Sequence, residues 1–244
     1  MKKLFLAVIT LPFLYLAQAQ TDSLATKDSL DRMIGQMIMV GIGDFNLLDQ
    51  KADVFDAIRA DQVGGVILFE KNLSSTNTEG RLQRILEFTQ EQSKTPLFVS
   101  IDEEGGRVNR LKTKYGFPKT VTAQYLGELD NLDTTYFYAK QTAAILYKLG
   151  INMNFAPSVD VNINPDNPVI GKIGRSYSAD PLVVSRHAQA FVEGHDLFGV
   201  ATVLKHFPGH GSSQNDSHLG LTDVSDSWRF EELLPYKALM DSGK

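Results

Sequence analysis

A chain of 244 residues, 43% apolar and 22% charged, has the makeup of a globular protein able to bury a core of one large domain or two small ones. A formal net charge of −5 gives no basic footprint, so no nucleic-acid partner is expected. Cysteine is absent, which removes disulfides, thiol nucleophiles and cysteine-linked lipids together.

Lys2 and Lys3 precede an apolar run, Leu4 to Leu16, and then Ala17-Gln18-Ala19. A basic head, a short apolar stretch and a small-x-small end predict a signal peptide over 1–19, with the mature chain starting at Gln20. The run is too short for a comfortable membrane span, so no stable insertion is expected after cleavage. The expected location is periplasmic or secreted. Residues 20–28 are polar and read as a flexible segment.

From Ser29 onward apolar runs alternate with helical patterns. The runs are Met37 to Ile42, Val63 to Phe69, Leu97 to Ile101, Ile151 to Ala156 and Val200 to Leu204. Between them, residues recur at spacings of three and four: Leu82, Ile85, Leu86 and Thr89, then Leu132, Tyr136, Ala139, Ala143 and Leu146. Val184, Ala188, Phe191 and His195 form another stripe, and Phe230, Leu233, Leu234 and Ala238 the last. Strands apolar on both faces, alternating with amphipathic helices, predict a parallel sheet covered by helices. His195 and His187 read as core or helix-surface residues. Asp226 reads as the N-cap of the final helix.

Polar clusters follow the strands and never precede them. Asp102-Glu103-Glu104-Gly105-Gly106-Arg107-Val108-Asn109-Arg110 follows the third run. Asp160 and then Gly171-Lys172-Ile173-Gly174-Arg175-Ser176 follow the fourth, and Lys205-His206 the fifth. Chemistry at the carboxyl ends of three consecutive strands favours a (β/α)8 barrel over an open sheet, where ligands gather only at the switch point. About the first five strand-helix units of such a barrel are expected over 29–244.

The densest stretch is Val203 to Leu221, which carries three of the five histidines. Pro208, Gly209 and Gly211 stop both strand and helix, so a shaped loop follows the fifth strand. Asp216 stands two residues before His218, a spacing that lets the carboxylate orient the ring and stabilise its protonated form. The same donors leave a metal reading open, because zinc accepts His206, His210, Asp216 and His218 as ligand types.

KHFPGHG, four residues, then DSH resembles the signature of family 3 glycoside hydrolases, in the branch of N-acetyl-β-glucosaminidases. DEEGGRVNR resembles the sugar-binding motif of the same branch, and the likeness runs from about Leu30 to Lys244. It implies a retaining exo-β-N-acetylglucosaminidase, with His218 as acid and then base and Asp216 orienting it. Asp102, Arg110, Arg175, Lys205 and His206 fall on the substrate-binding positions, and His210 on a loop-shaping one. The implied partner is a carbohydrate containing N-acetylglucosamine, in cell-wall muropeptide or amino-sugar glycan turnover. The family's nucleophile is an aspartate on a later barrel loop, expected beyond Lys244 in a further region of the gene product. Asp223, Asp226 and Asp241 do not stand in that context.

No G-x-G-x-x-G or P-loop pattern opens a helix, and no cofactor or metal is expected. The competing readings are a metal-dependent hydrolase on the same barrel, a binding protein without turnover, a family 3 β-glucosidase and an N-acetylglucosaminide phosphorylase. The Asp102/Arg110 cluster speaks against the first, since a metal site would not need it. The Asp-Ser-His loop speaks against the β-glucosidase.

Overall fold

The computed structural model describes residues 27–43 and 53–243, so the expected leader lies outside the described residues. The chain runs α1 (Lys27–Gly35), β1 (Met39–Gly41), α2 (Asp53–Arg59), β2 (Gly65–Leu68), α3 (Thr78–Glu91) and β3 (Phe98–Ile101). There follow α4 (Ala123–Leu129), α5 (Leu132–Leu149), β4 (Met153–Asn154), α6 (Pro181–Asp196), β5 (Ala201–Thr202) and α7 (Leu234–Asp241). Each strand lies inside one of the apolar runs but is shorter than it.

The five strands form one sheet in the order β1-β2-β3-β4-β5, every neighbouring pair parallel. Spatial order that follows chain order, without a reversal, is the arrangement of a barrel wall and not of a doubly wound sheet. The wall is therefore a consecutive part of an α/β barrel.

Burial explains why the strands read as continuous apolar runs. Val66, Leu68, Val99 and Ile101 are buried with Phe55 and Ile58 of α2, Leu82 and Leu86 of α3, and Leu146 and Leu149 of α5. Each large aliphatic side chain so placed contributes roughly 1.5–3 kcal/mol. A second cluster joins Val159 and Val161 to Val184, Ala188 and Val192 of α6 and to Tyr236 and Leu239 of α7.

The helix ends follow local chemistry. Thr122 accepts from Tyr125 N before α4, Asn131 from Thr134 N before α5, and Asp180 from Leu182 N before α6, where Pro181 takes the first position. Gly150 closes α5 at φ 85°. Asp226 is not the N-cap of the final helix. A 3-10 turn over Phe230–Leu233 precedes α7, and its cap is Arg229, whose N–H donates to Glu232. Asp226 lies in the turn before it, one helical turn too early to reach the free N–H groups.

His195 is buried in α6. Its Nδ1–H donates to Phe191 O, and Nε2 accepts from Asn154 of β4. Burial pushes its pKa down to about 4, so the ring is neutral. His187, on the same helix, meets Thr135 Oγ1 at 2.8 Å and stacks on Tyr177.

Candidate active site

Asp102 and Glu104 leave the end of β3 directly, and Asn154 of β4 fixes the backbone between them. Its Oδ1 accepts from Glu103 N at 3.0 Å, and its Nδ2 donates to Glu103 O at 3.1 Å. The chain then turns through Gly105 at φ 96° and Gly106 at φ 59°, a conformation side chains rarely take. A Cβ on Gly105 would stand 2.5 Å from Val121 O, so the loop needs glycine for space as well. The turn carries Arg110 back beside Asp102, at 3.5 Å.

Beneath it, Glu103 is 2% exposed, and its Oε2 accepts from the N–H groups of Arg110 and Leu111. Burial raises its pKa to about 7 even though those N–H groups and the nearby Arg110 charge favour the carboxylate.

Beyond the end of β5, a bridge between Ser158 and Lys205 continues the β4–β5 pairing and aims Lys205 at the β3 loop. Lys205 Nζ donates to Asp102 Oδ1 at 2.8 Å and to Glu104 Oε1 at 2.6 Å. Arg175 grips Glu104 with two bonds, Nε to Oε2 at 2.8 Å and a terminal nitrogen to Oε1 at 2.7 Å. Burial alone would raise the Glu104 pKa, but Arg175 and Lys205 hold it below the usual carboxylate range.

Asp160 is fully buried and anchors the KHFPGHG loop. Its Oδ1 accepts from the backbone N–H of His206 and of His210, and its Oδ2 meets His206 Nδ1 at 2.6 Å and accepts from Ser158 Oγ at 3.0 Å. Burial would raise this carboxyl too, yet His206 and the backbone donors hold it low. His210 also donates its backbone and offers its carbonyl to Asn167, so it does shape the loop. Burial lowers the pKa of its ring.

Asp216 and His218 lie further along the same loop. His218 Nδ1 stands 2.6 Å from Asp216 Oδ1, which also accepts from His218 N. These two contacts hold Asp216 below its ordinary pKa. The pair is open, with the His218 side chain 77% exposed.

One cleft of about 390 Å³ is lined by Asp102, Arg110, Arg175, Lys205 and His206, and by His210, Asp216 and His218. The seven residues picked from the motifs thus share one concavity, at the carboxyl ends of β3, β4 and β5. A larger hollow of about 590 Å³, lined by Asn164, Ser212, Gln214 and Trp228 among others, holds none of them. Among the described residues no three His, Asp or Glu side chains are arranged to hold a metal ion. Sequence reasoning assigned no role to Glu104 or Asp160. Each is a carboxylate just past an apolar run, and Glu104 also stands inside the DEEGGRVNR string.

The chain resembles known glycosidases in sequence and in fold. It is 40% identical over 191 residues to beta-hexosaminidase A of Pseudoalteromonas piscicida, covering 73% of this chain and 31% of that protein. Against beta-hexosaminidase LpqI of Mycobacterium tuberculosis it is 36% identical over 209 residues, 85% of this chain and 50% of the relative. The structure of a family 3 beta-N-acetylglucosaminidase from Paenibacillus sp. str. FPU-7 superposes with a TM-score of 0.76 at 36% identity, covering 88% of this chain and 40% of that one. The chain spans half or less of the length of these relatives. Residues 29–244 match the glycosyl hydrolase family 3 N-terminal domain, and the chain belongs to that family.

Proposed function

We propose that this chain supplies the sugar-binding and acid/base half of a retaining exo-β-N-acetylglucosaminidase. The observation that carries the reading is the single cleft joining the charged Asp102–Arg110–Lys205–Glu104–Arg175 network to the Asp216–His218 pair. Fixed carboxylates and cations at close quarters recognise sugar hydroxyls, which both donate and accept, through charge-assisted hydrogen bonds. Asp102, Arg110, Arg175, Lys205 and His206 hold the non-reducing N-acetylglucosamine in this reading.

His218 performs the proton transfers. Its Nδ1 is engaged by Asp216, which leaves Nε2 for the substrate. In the first step Nε2–H gives its proton to the glycosidic oxygen as the C1–O bond breaks and a carboxylate nucleophile bonds to C1. In the second step neutral Nε2 takes a proton from water as that oxygen attacks C1 and the carboxylate departs. Asp216 stabilises the imidazolium that enters the first step and is formed again in the second. We assign the nucleophile to an aspartate of the further region expected in the gene product, and place the protein in the periplasm or outside the cell. Its substrate class is cell-wall muropeptides or amino-sugar glycans.

The test is hydrolysis by the full gene product of an aryl N-acetyl-β-glucosaminide beside the matching β-glucoside, with the anomer of the first product followed by NMR. The expected result is selective release of β-N-acetylglucosamine. Inverted product, preference for the glucoside, or consumption only with added phosphate would each replace this reading.

A further inference from the structure

His206 is hydrogen-bonded on both ring nitrogens, and its two partners have opposite chemistry. Nδ1 stands 2.6 Å from Oδ2 of Asp160, a carboxylate held in its charged form by that contact and by two backbone N–H groups. Nε2 stands 2.9 Å from a terminal nitrogen of Arg175. A guanidinium only donates. Nε2 must therefore accept, and the ring proton must sit on Nδ1, where Asp160 receives it. An imidazolium would set N–H against N–H at 2.9 Å beside a like charge, which this arrangement forbids.

Arg175 is in turn held by the two bonds to Glu104, and Glu104 by Lys205. Asp160, Glu104 and Asp102 carry three negative charges, and Arg175, Lys205 and Arg110 carry three positive ones. The network balances only with a neutral His206. Asp160 is fully buried and Glu104 nearly so, whereas His206 is a third exposed to the cleft.

We propose that Asp160 and Glu104 are positioning residues that fix His206 as the neutral Nδ1–H tautomer, so that the one lone pair of Nε2 accepts from Arg175 and holds that guanidinium at the cleft for the sugar. Asp160 does this directly, and Glu104 does it by presenting Arg175 to Nε2. The sugar hydroxyl that binds here accepts from Lys205 or Arg175, so a hydroxyl replaced by hydrogen loses that bond. The inference rests on the substrate class proposed above, but the tautomer does not depend on turnover.

The experiment is therefore two-armed. In the first, the full gene product is labelled with ¹⁵N-histidine, and the ring nitrogens of His206 are assigned by comparison with His206→Gln. The expected spectrum at neutral pH shows a protonated Nδ1 and an unprotonated Nε2. A protonated Nε2 in the wild type overturns the proposal without any variant having to fold. Asp160→Asn places an amide where Oδ2 was and leaves the other oxygen for the backbone donors, so both ring nitrogens then face donors and the proton is expected to be shared between Nδ1 and Nε2.

The second arm measures kcat and KM of Asp160→Asn and Glu104→Gln on an aryl N-acetyl-β-glucosaminide. One binding hydrogen bond lost is expected to raise KM about tenfold, with a smaller change in kcat. A loss confined to kcat would overturn the positioning role. The expected tautomer in a protein that does not turn over N-acetylglucosaminides would sink the functional reading and leave this inference standing.

Discussion

In the proposed mechanism two side chains of one loop carry the proton chemistry, and their unequal tasks predict unequal losses. In the full gene product His218→Ala removes acid and base together, and turnover of a natural disaccharide is expected to fall roughly 10²–10⁴-fold. An aryl leaving group needs little protonation, so its first step is expected to suffer less than its second and a glycosyl-enzyme to accumulate, visible by intact mass. Asp216→Ala only removes orientation and charge, and a smaller loss in the same direction is expected. Wild-type rates for both variants would remove the pair from the mechanism. Glu103, buried below the β3 loop, gives a pH signature instead. Its folded pKa of about 7 lies above the ordinary value of 4.5, so the folded state binds the proton more tightly than the unfolded one. That contribution is fully present below about pH 4.5 and is lost as pH rises through 7. Glu103→Gln keeps an acceptor for Arg110 N and Leu111 N without the buried charge. The variant is expected to gain stability over wild type between pH 5 and 8, by on the order of 1–3 kcal/mol at the upper end. Calorimetric melting across that range checks it, and a pH-independent difference would show that Glu103 is not the group titrating. The motif residues were legible because each stands in a distinctive local string. Asp160 stands in no such string, and Glu104 stands in one that gives it no role, because what gives them meaning is a partner 71 residues away for Glu104 and 46 for Asp160.

At the scale of elements, the apolar runs located every strand, and the stripes located α3, α5, α6 and α7. The strands came out shorter than the runs because the chain stays apolar as it leaves the sheet: Ala156, Val159 and Val161 are buried beyond β4 without being in it. The short helices α2 and α4 carry too few turns for a period to show, and neither was read from the sequence. The loop after β5 was legible as a loop, but its course is set by a contact the sequence hides. Gly211 passes so close to the chain beyond β4 that a Cβ there would stand 1.7 Å from Val161 O. That atom is backbone within the second core cluster and has no room to yield. Gly211→Ala is therefore expected to push the whole KHFPGHG segment outward, shifting both Lys205-His206 and the Asp216–His218 pair. We expect kcat/KM to fall at least tenfold and the melting temperature to drop, by the roughly 1–3 kcal/mol of an overpacked contact. Equal activity of Gly211→Ala and wild type would mean that the loop's path is not fixed at this crossing.

At the scale of the molecule, a barrel wall differs from an open sheet in what happens at its two ends. Closure joins the first strand to the last and leaves no edge, and layers of side chains from all eight strands fill the interior. Here β1 pairs only with β2, and β5 only with β4, so the described residues present two open edges. An unpaired strand edge is a template for pairing with another chain. Apolar surface lies beside the first edge, with Met37 87% exposed and Met33, Ile34 and Ile38 exposed as well. In the proposed mechanism the Asp216–His218 pair moves protons but forms no covalent bond to C1, and retention needs a nucleophile. Residues 20–244 expressed alone are expected to associate or precipitate, and to give no turnover of N-acetylglucosaminides. The check is to purify that segment, confirm its length by mass spectrometry, and compare its sedimentation, melting and hydrolysis with those of the full gene product. The proposed sugar site is built from the segments that follow β3, β4 and β5, so any folded fraction is expected to bind N-acetylglucosamine weakly. A monomeric segment that melts cooperatively and hydrolyses the aryl glycoside at a comparable rate would show that the nucleophile lies within these residues, and would send the search for it back to Asp223, Asp226 and Asp241.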